Sequence, residues 1–151
     1  MKNIIKKIRD LELKGRGGGD FETWKKWDMV TATRGDKYII CNGADGEILV
    51  SKDGYILENY LDYVIEGINI AIDTVKAKKA YFYLREDYYE KHLNKILSLG
   101  NDKIEVFKKP DVGYIGGEET VICEIIEGRS AFPRRKPPYL TEGVIRMSYT
   151  Y

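Results

Sequence analysis

The sequence predicts an α/β protein with a Rossmann-like, mostly parallel β-sheet and flanking helices. Short apolar runs of strand length alternate along the chain with longer segments whose apolar residues recur at helical spacing. The connections between the runs are long enough to hold a helix, and right-handed crossovers of that kind make strands parallel. The length of 151 residues suits one domain that buries a core without disulfide or metal staples.

The first part of the chain predicts two helices and a strand. Residues 3–12 are amphipathic, since these apolar residues share one helical face: Ile4, Ile5, Ile8 and Leu11. The aromatic segment 21–31 predicts a short helix with Trp27 in the core. Residues 37–42 form a compact apolar run and predict a buried strand, whereas residues 44–55 predict a loop.

The middle of the chain continues the alternation. Residues 57–76 predict a long amphipathic helix with these inward side chains: Leu61, Val64, Ile65, Ile68, Ile72 and Val75. Residues 80–84 and 104–107 predict strands. Between them, residues 87–99 predict a helix that Gly100 caps at its C-terminus. Its inward side chains are expected to be Tyr89, Leu93, Ile96 and Leu97.

The last part predicts one more helix at residues 118–127, ended by Gly128, and a final strand at residues 144–151. The loops at 43–55 and 113–118 each follow a predicted strand. Ligands of parallel sheets bind outside the carboxyl ends of the strands, so a site is expected at these two loops.

Composition narrows the function class. Lys and Arg number 25 and Asp and Glu 24, so the formal net charge of +1 gives no argument for binding nucleic acid or an anionic membrane. No segment approaches ~18 continuous apolar residues, so no direct membrane insertion is expected. With no signal peptide in the sequence, a cytoplasmic protein is predicted. The 12 tyrosines fit amphipathic packing and strand propensity, and a ring-stacking surface is the functional alternative.

Metal-binding and redox side chains are few. Cys41 and Cys123 alone hold neither an iron–sulfur cluster nor a structural zinc, so no metal site is expected. One disulfide between them stays open as an alternative. His92 is the only histidine. It lies on the surface of a predicted helix and is expected to be solvated rather than catalytic.

Four glycines crowd the loop at residues 15–19. The loop departs from the G-x-G-x-x-G dinucleotide fingerprint, because Asp20 stands at the sixth position and a helix precedes the loop. Its glycines still let backbone N–H groups approach a ligand closely, and Arg16 adds a fixed positive charge. A flexible connector is the alternative interpretation.

Five segments resemble one known family, in family order. Residues 13–27 resemble L-R-G-R-G-G-A-G-F-P-T-G-L-K-W, residues 41–58 resemble C-N-A-D-E-S-E-P-G-T-F-K-D-R-D-I-L-E, and residues 114–120 resemble Y-I-C-G-E-E-T. Residues 65–71 and 81–89 resemble L-I-E-G-M-I-I-A and Y-I-Y-I-R-G-E-Y-Y. The family is the flavin subunit of respiratory complex I, with relatives in NAD-reducing hydrogenases and formate dehydrogenases. The resemblance therefore implies the fold of its FMN-binding domain.

The resemblance also implies that FMN and NAD(H) bind between three of these segments. Lys26 would be a cationic partner, Asn42 would hydrogen-bond the flavin, and Glu47 would lie near the nicotinamide. Phe21 and Tyr139 would line the adenine end. The implied cofactor-binding positions are Gly15, Arg16, Gly17, Gly18, Phe21, Lys26, Asn42, Asp45, Glu47, Tyr114, Gly117, Glu118, Glu119 and Tyr139.

The chemistry implied is hydride transfer from nicotinamide to flavin, for which a protein supplies orientation and electrostatics. The resemblance gives catalytic positions to Glu47 and to Glu119, which would form a wall of the site with Tyr114, Gly117 and Glu118. Without the resemblance, Glu118 and Glu119 would be interpreted as carboxylates at the positive end of a helix dipole.

The family pattern breaks in several places. The family's Ala-Asp-Glu-Ser becomes residues 43–46, Gly-Ala-Asp-Gly, so one acid is lost and one is shortened to Asp45. Asp20 adds a negative charge beside the expected phosphate cradle, which would oppose anion binding weakly at an exposed site. The family's P-T-V-V-N-N-V-E-T stretch and its iron–sulfur and ubiquitin-like domains are not found. Residues 1–151 are therefore expected to be a single FMN/NADH-binding domain that passes electrons to an iron–sulfur acceptor subunit.

The sequence thus predicts an FMN- and NAD(H)-binding electron-transfer module that works as an NADH dehydrogenase component. Two alternatives stay open. One is a degenerate relative that serves as a binding or assembly module without redox turnover, which the altered acidic loop favours. The other is a nucleotide sensor that keeps the dinucleotide but not the flavin. The sequence does not define an oligomeric state.

Overall fold

The structure is a computed structural model that describes residues 2–15, 19–47 and 49–136. Within these ranges the chain forms five α-helices, three β-strands and one 3-10 helix. In chain order the elements are α1 Lys2–Asp10, α2 Thr23–Ala32, β1 Tyr38–Gly43, α3 Lys52–Val75, β2 Lys79–Leu84, α4 Glu86–Leu99, β3 Ile104–Lys108, the 3-10 helix Tyr114–Gly117 and α5 Glu119–Ile126.

The three strands form one parallel sheet in the order β1-β2-β3. Helices α3 and α4 lie in the two crossovers, as parallel pairing requires. The register aligns Gly43 with Leu84 and Leu84 with Lys108, so the strands end together at one edge of the sheet. The predicted α/β class with a parallel sheet and flanking helices is confirmed.

Alternating side chains of the sheet enter two separate cores, as the period of two in a strand requires. Ile39, Phe82 and Leu84 pack into a core with α2, α3 and α4 on one face. Ile40 and Tyr83 pack with α5 on the other face. The sheet is therefore the middle layer of three, and helices cover both of its faces.

Helix α3 begins five residues earlier than the predicted start at residue 57. Residues 52–55 are therefore helical and not part of a loop, because the buried carboxylate of Asp45 accepts hydrogen bonds from the first turn of the helix. Gly54 fits there because Tyr88 packs against it, and a Cβ would lie 2.7 Å from the ring atom Cε1. Tyr60 breaks the helical backbone with φ −138° and ψ 26°, which kinks α3.

The predicted inward face of α4 is confirmed only in part, since Ile96 is buried and Tyr89 packs against the core as predicted, but the buried face is shifted. Tyr88, His92 and Ile96 are its buried residues, whereas Leu97 is 59% exposed. The expectation of a solvated His92 is wrong, because α4 is rotated so that this residue lies 6% exposed and faces Glu58 of α3. Gly100 ends the helix with extended backbone.

Of the remaining predictions, the inward position of Leu11 is wrong, whereas those for Trp27 and Gly128 are confirmed. Leu11 is 79% exposed, because α1 ends at Asp10 before this residue reaches the core. Trp27 is buried as predicted, and Gly128 follows α5 with a φ of 74°. The predicted strand at 144–151 lies outside the described residues.

The two cysteines are both free, so the open alternative of a disulfide is not realised. Cys41 packs with the α3 face of the sheet and Cys123 with the α5 face. Burial raises the pKa of Cys41 to about 12. Across the described ranges no group of His, Cys, Asp and Glu could hold a metal ion. No helix there combines the length and the apolar character needed to cross a membrane.

The buried His92 makes stability depend on pH. Burial lowers the pKa of its imidazole, although Glu58 at 3.7 Å opposes the shift. Such a group stabilises the fold above its unfolded pKa of about 6.5, and this contribution is lost as pH falls through the folded pKa. Between about pH 7 and about pH 5, urea denaturation should therefore show a larger loss of unfolding free energy for the wild type than for His92→Gln.

The exposed Lys103, which lies beyond the end of α4, supplies the control. Lys103→Gln should keep the full pH dependence of the wild type, because it leaves the buried imidazole and its partner Glu58 in place. An identical pH dependence in the wild type and in His92→Gln would show that the buried histidine does not cause it.

Candidate functional site

Three segments frame the carboxyl edge of the sheet, where the sequence places the site. They are the glycine loop before α2, the loop that follows β1, and the 3-10 helix with the start of α5. A hydrogen bond joins the second segment to the third, and Lys26 of α2, which follows the first segment, feels the charge of Glu119 in the third. The site is therefore assembled from distant parts of the chain around a sheet that fixes their spacing.

The glycine loop is closed at its base. Lys14 and Glu22 form an antiparallel bridge, and the Gly15 amide donates to the Phe21 carbonyl at 2.9 Å. Asp20, which departs from the family pattern, lies 3.0 Å from the Lys14 ammonium, so its negative charge is paired within the loop. The predicted site residues Arg16, Gly17 and Gly18 lie outside the described residues.

Lys26 projects from α2 toward the start of α5. Its ammonium lies 5.4 Å from the centroid of the Phe21 ring. Burial lowers the pKa of Lys26; Glu119 opposes that shift and Lys136 adds to it. The predicted residues Phe21, Lys26 and Glu119 therefore belong to one neighbourhood, and Phe21 is 43% exposed there.

Asn42, the penultimate residue of β1, joins the second segment to the third. Its side-chain amide donates to the Gly117 carbonyl at 3.1 Å, and its side-chain oxygen accepts from the Ala44 amide at 3.1 Å. Each polar atom of the side chain keeps further capacity, since an amide carries two N–H donors and two oxygen lone pairs. Asn42 can therefore hold the two segments together and still bind a ligand.

Asp45 is fully engaged by the protein. Its Oδ2 atom accepts from the Asp53 amide at 2.8 Å, the Gly54 amide at 3.3 Å and the Tyr88 hydroxyl at 3.1 Å. The Lys52 ammonium lies 3.3 Å from Oδ1. Burial alone would raise the pKa of Asp45, but the two amides and the ammonium outweigh it and lower the pKa.

The side chain of Asp45 is 0% exposed, so the carboxylate points to the first turn of α3 and to α4. Its backbone has a positive φ of 37°. The Arg85 guanidinium donates to the Asp45 carbonyl at 3.2 Å and lies 4.2 Å from the centroid of the Tyr88 ring. Sequence reasoning did not single out Arg85 or Tyr88, because only the fold brings them to residue 45.

The rest of the loop after β1 meets the 3-10 helix. A Cβ at Gly46 would lie 3.3 Å from the Tyr114 carbonyl oxygen and 3.4 Å from its ring, so the absence of a side chain permits this contact. Tyr114 is 68% exposed, and Glu47 is exposed as well. A Cβ at Gly117 would lie 3.4 Å from the Cβ of Ala44, which shows how closely the two segments approach.

Glu118 and Glu119 begin α5 and are both paired. Glu118 accepts from the Thr120 amide at 2.8 Å and the Val121 amide at 2.9 Å, which caps the helix. Burial opposes ionisation, but hydrogen bonds from Thr120, Val121 and Lys136 lower the pKa of Glu118. The Lys136 ammonium lies 2.5 Å from Glu119 Oε1 and 3.2 Å from Glu118 Oε1.

The structure thus divides the predicted site residues into groups. Phe21 and Lys26 lie together, Glu119 acts on the pKa of Lys26, and Glu118 and Glu119 share Lys136, which sequence reasoning missed. A second group joins the loop after β1 to the 3-10 helix: the predicted Asn42, Tyr114 and Gly117, with Gly46, which was not predicted. Asp45 faces inward, Glu47 is exposed, and Tyr139 lies outside the described residues.

Comparison with known proteins adds an independent finding. A family model described as the Nuo51 FMN-binding domain matches residues 8–148. A subunit of the NADH-quinone oxidoreductase of Aquifex aeolicus is 37% identical over 153 residues, covering 90% of this chain and 36% of the relative. Its counterpart in Escherichia coli is 33% identical over 155 residues, covering 90% of this chain and 35% of the relative.

Solved structures give the same result. Crystal structures of NAD+-reducing [NiFe]-hydrogenase match with a TM-score of 0.84 at 29% identity in the H2-reduced state and 0.82 at 30% identity in the air-oxidized state. These matches cover 97% and 99% of this chain and 28% of each hydrogenase chain. The chain therefore spans 35–36% of the length of the two NADH-quinone oxidoreductase relatives and 28% of each hydrogenase chain.

Asp45→Ala tests the role of the buried carboxylate. The substitution leaves the Asp53 and Gly54 amides and the Tyr88 hydroxyl without their acceptor, so we expect unfolding free energy to fall by about 2–3 kcal/mol. Asp45→Asn keeps an oxygen acceptor and should lose about 1 kcal/mol. Urea denaturation measures both variants.

Asp62→Asn is the matched control, because Asp62 is an exposed carboxylate on the same helix. It should change stability by less than about 0.5 kcal/mol. If Asp45→Ala were as stable as this control, the carboxylate would not hold the start of α3.

Proposed function

The chain belongs to the family of Nuo51 FMN-binding domains, and from this premise we propose that it binds FMN and NAD(H) at the carboxyl edge of its sheet. The observation that carries the proposal is the convergence there of the three resembling segments. The loop after β1 and the start of α5 are tied by the hydrogen bond from Asn42 to Gly117. Lys26 lies over the Phe21 ring, and Glu119 is near enough to oppose the lowering of the pKa of Lys26.

Features of the described residues fit such ligands. Asn42 retains donor and acceptor capacity at the edge where a flavin ring would be oriented. Gly46 and Gly117 keep the neighbouring backbone segments free of side chains that would otherwise lie between them. The half-buried Lys26 gives a cation next to the aromatic ring of Phe21, which suits a ligand that carries both phosphates and rings.

The residues of the chain would orient and polarise the ligands. Bound FMN would supply the ring that accepts a hydride from NADH. Asn42 would orient the flavin ring through hydrogen bonds, and Lys26 would attract the negative phosphates. Glu47 is the exposed carboxylate of the loop after β1 and would face the positive charge that the nicotinamide acquires as it loses hydride.

The electron acceptor would be an iron–sulfur subunit. The named relatives are a subunit of NADH-quinone oxidoreductase and an NAD+-reducing hydrogenase, and this chain covers 36% of the former. We therefore propose, for this chain, both the NADH dehydrogenase activity and the iron–sulfur acceptor. A cytoplasmic location, expected from the sequence, also stays a prediction.

A second candidate function is dinucleotide or partner binding without redox turnover. The position of Asp45 favours it, because the side chain of this acidic residue is 0% exposed and is used to hold α3. The loop after β1 thus presents Glu47 but not Asp45 on its surface. The two functions differ in one readout, since only the first requires a flavin that NADH reduces.

The visible absorption spectrum of the purified protein tests the proposal. FMN bands should be retained after gel filtration with added FMN, and anaerobic NADH should bleach them. Glu47→Gln should retain the flavin and slow the bleaching by about tenfold, the effect of about 1.4 kcal/mol in a barrier. A colourless protein that binds NADH would instead support the second candidate. A protein that binds neither FMN nor NADH would contradict the proposal and leave only partner binding.

Lys26→Met tests the cationic partner separately. We expect NADH affinity to fall by about tenfold, equivalent to about 1.4 kcal/mol, because a charge-assisted contact with phosphate is lost. Isothermal titration calorimetry gives the dissociation constants. Lys25→Met is the matched control, since Lys25 is the exposed neighbour and pairs with Glu22. If Lys26→Met and Lys25→Met bound NADH with the same affinity, Lys26 would not be part of the NADH site.

A further inference from the structure

The segment at residues 129–136, here called the strap, runs back along α5 from its C-terminus to its N-terminus. The chain reverses at Gly128, where φ is 74°. Arg129, at the start of the strap, pairs with Glu124 and Glu127 near the end of the helix. Lys136, at the other end of the strap, pairs with Glu118 and Glu119 at the beginning of the helix.

Arg134 fastens the strap between these two ends. Its guanidinium pairs with Glu124, and its Nη2 atom lies 3.1 Å from Glu127 Oε1. The three side chains are 15%, 14% and 15% exposed, so this cluster is far less solvated than a surface ion pair. The hydrogen bond from Arg129 and the contact with Arg134 outweigh burial and lower the pKa of Glu124 to about 2.

A second contact links Arg134 to the site itself. The backbone amide of Arg134 donates to the Thr120 hydroxyl oxygen at 2.9 Å. That hydroxyl donates in turn to Glu118 Oε2 at 2.5 Å. Glu118 is thereby tied to the strap through Thr120, in addition to its direct contact with Lys136.

We propose that Arg134 is a positioning residue, which holds the strap on α5 so that the Lys136 ammonium lies between the carboxylates of Glu118 and Glu119. Lys136 needs such help because its own ion pairs are part-exposed, and pairs of that kind contribute only about 0–1 kcal/mol when the side chains are not otherwise held. Arg134 can give that help because its Nε atom donates to Glu124 while its Nη2 atom forms an ion pair with Glu127, so two carboxylates of the α5 region hold one part-buried guanidinium.

The consequence for the site is a fixed charge pattern. With the strap in place, Lys136 neutralises part of the charge of Glu118 and Glu119, and its own charge helps to lower the pKa of Lys26. Without it, the two carboxylates would oppose the phosphates of a dinucleotide. This consequence rests on the proposed function, whereas the positioning of Lys136 does not.

Lysine labelling with acetic anhydride tests the positioning without any ligand. In Arg134→Gln, acetylation of Lys136 should be about three- to fivefold faster than in the wild type, because release from an ion pair of up to about 1 kcal/mol frees the amine. Lys78, which pairs with Asp36 elsewhere on the surface, is the internal reference and should not change. Mass spectrometry gives both rates.

Arg135→Gln is the matched control, since Arg135 is the exposed neighbour with the same side chain. It should leave the labelling of Lys136 unchanged. Arg134→Lys keeps the charge and loses the fork, and its labelling rate should lie between those of wild type and Arg134→Gln; it replaces Arg134→Gln if thermal melting shows that protein to be unfolded. Unchanged labelling of Lys136 in a folded Arg134 variant would overturn the proposal.

A double-mutant cycle on NADH affinity separates positioning from a general structural role. Arg134→Gln should weaken NADH binding about three- to tenfold in the wild type and have no effect when Lys136→Gln is already present. An equal loss in both backgrounds would overturn the claim that Arg134 acts through Lys136. A wild type that binds no NADH would contradict the proposed function, while the labelling experiment would still decide the positioning.

Discussion

The buried carboxylate of Asp45 is the interaction on which the rest of the edge depends. It closes the first turn of α3, receives the hydroxyl of Tyr88 from α4, and belongs to the loop that leaves β1. The same residue accepts Arg85 at its backbone carbonyl, next to the end of β2. Through its 0% exposed carboxylate and its backbone carbonyl, one residue therefore joins two strands and two helices. A buried charge is tolerated only when its partners are in place, so the loop after β1 has a single low-energy arrangement. That arrangement sets where Asn42 and Gly46 stand against the 3-10 helix.

On the opposite side of the site, the residues are positioned by α5 rather than by the sheet. Glu118 caps the helix, and the strap returns along it to deliver Lys136 to the same carboxylates. The side-chain amide of Asn42 joins the two sides by a hydrogen bond to Gly117 that spans 75 residues of sequence. The carboxyl edge is thus an assembly of two pre-formed halves. Pre-formed halves lose less conformational freedom when a ligand arrives, which favours binding by a rigid cofactor.

The sequence alone predicts the elements of this fold well, because three apolar strands and the long helix α3 carry clear periodicity. The sequence does not predict features that depend on residues far away in the chain. The helical start at Lys52 depends on Asp45, which lies before the helix and outside any local capping pattern. The face of α4 depends on its rotation against α3, and the spacing of Tyr89, Leu93 and Leu97 fits a helix as well as that of Tyr88 and His92. In the site, family resemblance names most of the residues that meet, but Arg85, Tyr88 and Lys136 enter only through tertiary contacts.

The carboxylates of the site are not equivalent, and this decides where negative charge is available for redox chemistry. Asp45 is enclosed by donors, Glu118 binds the amides of its own helix, and Glu119 is paired with Lys136. A carboxylate stabilises the positive charge of an oxidised nicotinamide only if its field reaches the ring without being cancelled by a nearer cation. Paired carboxylates meet this condition poorly. Glu47 is the exposed carboxylate of the loop after β1 and is the position that the proposed function assigns to the nicotinamide. If the domain oxidises NADH as proposed, Glu47 would carry the electrostatic part of that reaction, while the acid at position 45 holds the start of α3.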